Sequence, residues 1–129
     1  MRFKKEIKLI SETIGNGELI EKGKWYTISI RMWLNKGDEV IWKQTFGLYD
    51  GLKIEDNGKM MTTTARYDRE FLINGIFYGI EGMKIGGKRK IRIDPRFGYR
   101  EKGIEDMIPP NAVLLAEVEI IKRFIEYDK

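Results

Sequence analysis

The chain of 129 residues has no cysteine and no histidine. Without thiols there are no disulfides, no thiolate metal sites and no cysteine nucleophiles. Without imidazole there is no Ser-His-Asp triad, no zinc HExxH motif and no histidine acid–base relay. No apolar run is long enough to span a bilayer, and the basic start MRFKKEIKLI lacks a small-residue cleavage site. No Asn-x-Ser/Thr sequon is present. The expectation is a soluble cytoplasmic protein without a membrane partner. Charge excess is also small: 24 Lys and Arg face 20 Asp and Glu, a net +4. That permits an anionic partner without requiring one. No internal repeat or low-complexity linker divides the chain, which predicts one domain over residues 1–129.

What is present is globular. Hydrophobic residues make up 42% and aromatics 12%, spread along the whole length. A chain this long buries roughly two-thirds of its unfolded surface. Alternation dominates. In Lys24–Leu34, Tyr26, Ile28, Ile30, Met32 and Leu34 share one face, opposite Thr27, Ser29 and Arg31. That is a half-buried strand at period two. Ile7 and Leu9 predict another strand, ending at Gly15-Asn16-Gly17. In Lys88–Asp94, Ile91 and Ile93 face in while Lys88, Lys90 and Arg92 face out. In Val113–Ile121, Leu114, Ala116, Val118 and Ile120 oppose Glu117 and Glu119. Together they predict an antiparallel sheet with one wet face. Asn35–Asp38 reads as a turn, with Val40-Ile41-Trp42 starting the next strand.

One segment has helical spacing: Ile73, Ile76, Phe77, Ile80 and Met83, with Asn74 as candidate N-cap. Gly75, Gly79 and Gly82 each cost up to about 1 kcal/mol against alanine, so this helix needs tertiary support. The fold class is therefore α+β, a bent antiparallel sheet wrapped around one short amphipathic helix. Residues 43–70 form an extended excursion. Asp50-Gly51 and Asn57-Gly58 are hairpin-turn signals within it.

Chemical motifs are few. Gly82–Lys88 matches GxxxxGK, but Arg89 stands where a phosphate loop needs Ser or Thr. A helix precedes it and a strand follows, the reverse of what places a phosphate on a helix N-terminus. A tight turn explains it better. Lys88-Arg89-Lys90-Ile91-Arg92 is basic, but the alternation makes it a solvated face and argues against nucleic acid as a partner. Glu55-Asp56, Glu105-Asp106 and Glu117/Glu119 are acidic pairs that fit exposed turns and strand faces better than catalytic carboxylates. Gly75 and Gly79 suit close helix–sheet packing. Pro109-Pro110 stiffens the loop that feeds the last strand.

Three blocks resemble the FKBP family of macrolide-binding peptidyl-prolyl cis-trans isomerases: KGKWYTISIRMWLNKGDEV (Lys22–Val40), LINGIFYGIEGMKIGGKRKIRIDPRFGY (Leu72–Tyr99) and IPPNAVLLAEVEIIK (Ile108–Lys122). The second and third, with the Gly-Met-x-x-Gly-Gly-x-Arg-like turn and Ile-Pro-Pro loop, are the more specific. The resemblance implies isomerisation of X-Pro bonds in proline-containing peptides or unfolded protein segments, with macrolides as further ligands. Rotation about a peptide bond faces a barrier near 20 kcal/mol because it breaks amide resonance. The twisted transition state is less polar than the planar amide, so an apolar, water-poor pocket favours it. No nucleophile, metal or cofactor is required.

By this resemblance Ile73 offers a backbone N–H to the substrate carbonyl, and the Tyr99 hydroxyl contacts ligand. Leu72, Phe97 and Ile108 are pocket walls. Five positions depart from the family. Ile76 replaces the tryptophan floor, Ile30 a pocket tyrosine, and Ala116 an aromatic on the last strand. Val40 and Ile41 replace a Phe-Asp pair. Phe71, Tyr67 and Phe46 are candidates for the family's further aromatic. A pocket stripped of aromatics and polar orienters implies reduced or altered activity. The rival expectation is a weak or inactive binding and chaperone module on the same fold.

Overall fold

The computed structural model describes residues 3–42 and 53–125. Six strands, β1 (Ile7–Thr13), β2 (Trp25–Leu34), β3 (Lys53–Glu55), β4 (Met60–Arg66), β5 (Lys88–Ile93) and β6 (Leu114–Arg123), form one sheet. Their order is β1-β5-β6-β2-β4-β3, and every neighbouring pair is antiparallel. The register slips between Leu9 and Ser11 in β1 and between Thr27 and Ile28 in β2. Such bulges bend a strand and increase its twist, which curls the sheet.

Register explains the two faces. Residues directly opposite on antiparallel strands share a face. The inner face carries the rows Ile93–Leu114–Leu34, Ile91–Ala116–Met32 and Arg89–Val118–Ile30–Met61. All but Leu34 and Met61 in these rows are buried. On the outer face Lys88 stands opposite Glu119, and Lys90 opposite Glu117. Arg31 pairs with Glu39 at 3.2 Å and Asp56 at 2.9 Å. Carboxylates thus answer the basic strand, and these acidic residues serve as surface counter-charges. Trp33 covers part of this face under the Lys90 ammonium, 4.4 Å from its ring centre.

The helix α1 (Asn74–Gly79) lies on the inner face of β5. A Cβ at Gly75 would sit 2.4 Å from Ile93 Cγ2, and one at Gly79 2.3 Å from Ile91 Cδ1. The two glycines let backbone rest directly on sheet, and Ile76, Phe77, Ile80 and Met83 bury behind them. Asn74 is not the N-cap: Ile73 holds that position in extended conformation, and no side chain caps the helix. The Asn74 Oδ1 instead accepts from Arg69 Nε at 3.3 Å. A six-residue helix packed on a sheet draws its stability from burial rather than from its ends.

Arg89 is the buried exception among the charges, at 3% exposure. Its Nη1 donates to the carbonyls of Gly79, the last residue of α1, at 2.9 Å and of Glu81, just beyond it, at 2.7 Å. Its Nε and Nη2 donate to Glu12 Oε2 at 3.1 and 2.7 Å. One guanidinium therefore ties helix end to edge strand, and satisfies carbonyls that α1 leaves open.

Two further expectations meet the structure differently. Val40-Ile41-Trp42 does not open a strand: only Glu39 makes a bridge, to Trp33. Val40 N–H donates to the Met32 carbonyl in β2 and Trp42 N–H to the Gly58 carbonyl in the β3–β4 turn, so its backbone bonds are divided between two elements instead of extending one ladder. The Asn57-Gly58 signal does make a hairpin, joining β3 to β4. Asp56, Asn57 and Gly58 take φ values of 53°, 56° and 89° there, a left-handed run that suits these residue types. Asp50-Gly51 and Phe46 lie outside the described residues. Between α1 and β5, Gly82 and Gly86 take φ of 84° and 90° in a tight turn. Among the described residues no helix is long and apolar enough to cross a membrane.

Candidate functional site

The segment entering α1 is held by one side chain. Asp68 Oδ1 accepts from the N–H groups of Glu70 at 3.0 Å and Phe71 at 3.1 Å, while its carbonyl accepts from Leu72 at 3.2 Å. Arg66 clamps Asp68 Oδ2 through Nε and reaches Glu70 through Nη2 at 2.5 Å. The chain then delivers Leu72 into the core and Ile73 to its edge. Phe77 N–H takes the Ile73 carbonyl at 2.9 Å. Among the described residues the Ile73 N–H itself donates to no backbone carbonyl.

A second aspartate orders the opposite side. Asp94 caps the short 3₁₀ turn Pro95–Phe97, accepting from Arg96 N–H at 2.9 Å, with proline pre-set for the first turn. This turn half-buries Phe97 against Tyr78, ring centres 5.6 Å apart. Tyr99 follows, half-buried, and its carbonyl accepts from Gly103 N–H at 3.0 Å. The Ile108 loop closes on the same strut: Ile104 and Ile108 exchange N–H and carbonyl at 2.8 Å each.

Both aspartates are acid-sensitive anchors. Burial acts to raise the Asp68 carboxyl, but Arg66 and the two N–H donors outweigh it and hold it below the ordinary carboxylate range. Arg96, through side chain and backbone, lowers Asp94. A carboxyl depressed in the folded state stabilises fully above its unfolded value, and that stability is lost as pH falls through the folded value. The urea midpoint should therefore fall as pH drops below about 4. In Asp68→Asn, stability at pH 7 should fall by about 1 kcal/mol, as for a lost cap. A pH series of urea melts reads both effects, and the double variant with Asp94→Asn should show a flatter acid limb. An unchanged acid limb would remove these residues from the account.

The eight residues expected at a site divide into two sets. Ile73, Phe97 and Tyr99 are half-buried and pack on the core from its edge. Leu72, Ile76, Ile108, Ile30 and Ala116 are buried in the core beneath, Ile76 at 1% and Ala116 at 0% exposure. Ile30 and Ala116 occupy adjacent inner rows, opposite Val118 and Met32. Ile30, Ile76 and Ala116, expected to stand in place of aromatics, are aliphatic side chains buried in the core.

Met61 and Thr63 also reach the inner face, opposite Ile30 and Ile28. The irregular pattern of Met60–Tyr67 hid them, and only pairing with β2 assigns their side. The buried Thr63 hydroxyl has no hydrogen-bond partner among the described residues. Tyr67 packs in the core on Phe77, ring centres 5.2 Å apart. Burial, helped by nearby Glu81, pushes its hydroxyl up to about 12. Phe71 stacks edge-on against Trp25 at 4.8 Å, under Arg66 at 4.9 Å. The anchors Asp68 and Asp94 were also missed, although Asp94-Pro95 is a legible cap signal.

Comparison with known proteins gives a consistent answer. The family model for FKBP-type peptidyl-prolyl cis-trans isomerase matches residues 32–121. An FK506-binding protein of Neisseria meningitidis serogroup C is 39% identical over 90 residues, covering 67% of this chain and 81% of that protein. A peptidyl-prolyl cis-trans isomerase of Schizosaccharomyces pombe is 34% identical over 88 residues, covering 66% and 77%. Among solved structures, AtFKBP13 superposes with a TM-score of 0.69 at 25% identity, covering 92% of this chain and 93% of the other. FkpA from Escherichia coli gives 0.62 at 25% identity, covering 91% of this chain and 46% of the other. With its bent sheet, its short helix and a match over 32–121, the chain belongs to the family of FKBP-type peptidyl-prolyl cis-trans isomerases.

Proposed function

We propose that the chain isomerises X-Pro bonds in proline-containing protein segments through an aliphatic prolyl site, with reduced or altered activity. The observation that carries this reading is the Ile73 N–H, free of backbone partners among the described residues, at the edge of the Leu72 and Ile76 core. A carbonyl preceding proline accepts from it while the prolyl ring settles against apolar walls. Burying that ring gains about 25 cal/mol per Å². Water leaves the amide, its planar polar form loses solvation, and the twisted form is favoured in relative terms. Phe97 and Tyr99 supply the opposite wall, and Ile108 closes over it. Macrolides that present a prolyl-like amide would compete for the same walls.

The loss of aromatic area at Ile30, Ile76 and Ala116 removes orienting contacts. Each 1.36 kcal/mol of transition-state stabilisation forgone is tenfold in rate. Exchange NMR on short X-Pro peptides tests the reading. Acceleration proportional to enzyme concentration is expected, with kcat/KM falling up to about tenfold in Tyr99→Phe if its hydroxyl holds ligand. No acceleration for any peptide from folded protein would sink it.

The close packing of Ile76 and Ala116 favours a second reading: a binding or chaperone module that holds unfolded segments without twisting them. That reading expects suppression of aggregation of an unfolded, proline-containing client in the absence of peptide catalysis.

A further inference from the structure

Three successive N–H groups end on one residue. Those of Glu70 and Phe71 donate to Asp68 Oδ1 at 3.0 and 3.1 Å, and that of Leu72 donates to the Asp68 carbonyl at 3.2 Å. The next along the chain, the Ile73 N–H, is the first to donate to no backbone carbonyl among the described residues. Peptide units are planar, so fixing three consecutive N–H directions leaves few orientations for the fourth. Nothing in α1 replaces this restraint: the helix has no side-chain cap, and Ile73 precedes its first turn in extended conformation. Asp68 is in turn tied to the sheet. Arg66, the last residue of β4 and the partner of Trp25 in the ladder, holds Asp68 Oδ2 through Nε. Its guanidinium also lies 4.9 Å from the Phe71 ring centre and 5.7 Å from that of Trp25. The Phe71 side chain, edge-on to Trp25, anchors the middle of the segment to β2.

We propose that Asp68 is a positioning residue for isomerisation: held by Arg66, it aims the Ile73 N–H at the carbonyl that precedes proline. The proposal rests on the prolyl reading above. Asp68 acts through the backbone of residues 70–73 and not by touching substrate. An aspartate suits this task, because one carboxylate oxygen accepts both N–H groups while the other takes the guanidinium. The charged groups around it are Arg66 and, on another nitrogen of that guanidinium, Glu70, while Arg69 turns to Asn74 Oδ1 at 3.3 Å. A donor misplaced by about 1 Å costs on the order of 10²-fold in rate, so a residue outside the pocket can govern the reaction through this one N–H.

Exchange NMR on an X-Pro peptide, with amide spectra of the same samples, tests this. In wild type the Ile73 amide proton should move downfield when the peptide binds. In Asp68→Ala that movement should shrink, and kcat/KM should fall by about tenfold to 10²-fold. Asp68→Asn keeps an acceptor for the Glu70 and Phe71 N–H groups but loses the charge, and Arg66→Gln leaves the aspartate without its clamp. Each of these two should lose about threefold. Gly37→Ala, strained at φ of 115° in the turn after β2, is the control for lost stability and should keep both the Ile73 movement and the rate. A rate for Asp68→Ala within about threefold of wild type overturns the proposal, while acceleration by the wild type leaves the prolyl reading standing. An equal loss in Gly37→Ala also overturns it, because instability alone would then explain the effect. So does a peptide-bound wild type whose Ile73 amide proton stays in place. If Asp68→Ala does not fold, wild-type rates in both Asp68→Asn and Arg66→Gln overturn it. No acceleration by the wild type overturns both readings together.

Discussion

Replacing Arg89 by methionine is expected to lower stability by about 3–5 kcal/mol, and the thermal midpoint by roughly 10 °C or more. The guanidinium makes four hydrogen bonds, two to Glu12 and two to carbonyls at the C-terminal end of α1 and just beyond it. Methionine fills much of the volume but supplies no donor. Glu12, at 22% side-chain exposure, loses its ion pair with Arg89, and the Gly79 and Glu81 carbonyls lose their donor. An unmade buried hydrogen bond costs more than a made one contributes. Arg89→Lys keeps the charge but offers a point donor instead of a planar fork, so it should recover only part of the loss. Lys88→Met, one residue earlier and exposed, should lie within about 0.5 kcal/mol of wild type. Urea melts of the three variants decide the matter. A cost below about 1 kcal/mol for Arg89→Met would show that the buried pair contributes little.

Gly103→Ala should leave the protein folded and damage the site. Gly103 takes φ of 59°. An added Cβ would stand 2.2 Å from the Ile108 carbonyl oxygen and 2.8 Å from the Pro109 carbonyl carbon. Both are backbone atoms, so no rotamer change relieves the contact. The loop must retreat by about 1 Å to restore normal separation, and Ile108 moves with it. A displacement of that size costs about 10²-fold in rate when it misplaces a binding wall. Gly23 and Gly37 provide the control: both have positive φ, yet a Cβ at either meets nothing within 4 Å. Alanine there should cost only the left-handed strain, about 1 kcal/mol of stability, and leave kcat/KM near wild type. Isomerisation by Gly103→Ala within about threefold of wild type would show that the loop position does not govern catalysis.

These two predictions depend on features that differ in how they can be read. Period-two alternation is a local property, so β2, β5 and β6 and their buried faces are legible in the residues alone. So are the short helix, whose apolar spacing is also local, and the Asn57-Gly58 hairpin. Alternation even sets Arg89 on the inner side, between Lys88 and Lys90. It does not reveal Glu12, which lies 77 positions away. Whether an inward arginine is a defect or an anchor depends on what the fold brings to it, because a buried charge is tolerable only with a partner.

The site shows the same division. Leu72, Ile73, Phe97, Tyr99 and Ile108 could be named by their resemblance to family blocks; the structure buries Leu72 and Ile108 in the core and packs Ile73, Phe97 and Tyr99 against it. The fate of Ile30, Ile76 and Ala116 could not be read that way. An aliphatic residue in place of an aromatic leaves either an open hollow or a collapsed one, and only packing against neighbours chooses between them. Here it chose closure. Asn74 illustrates the limit of local signals: its type suits an N-cap, but the Asp68 turn starts the helix one residue earlier.

By itself, the sequence determined the strands β1, β2, β5 and β6, the helix, the Asn57-Gly58 turn, the lack of thiol and imidazole chemistry, and the family. Only the tertiary structure decided that Arg89 is a buried clamp and that Ile30, Ile76 and Ala116 are buried in the core. The physical reason is range. Backbone preference and side-chain alternation act over a few residues, whereas desolvation, charge pairing and void closure depend on atoms that meet only after the chain has folded.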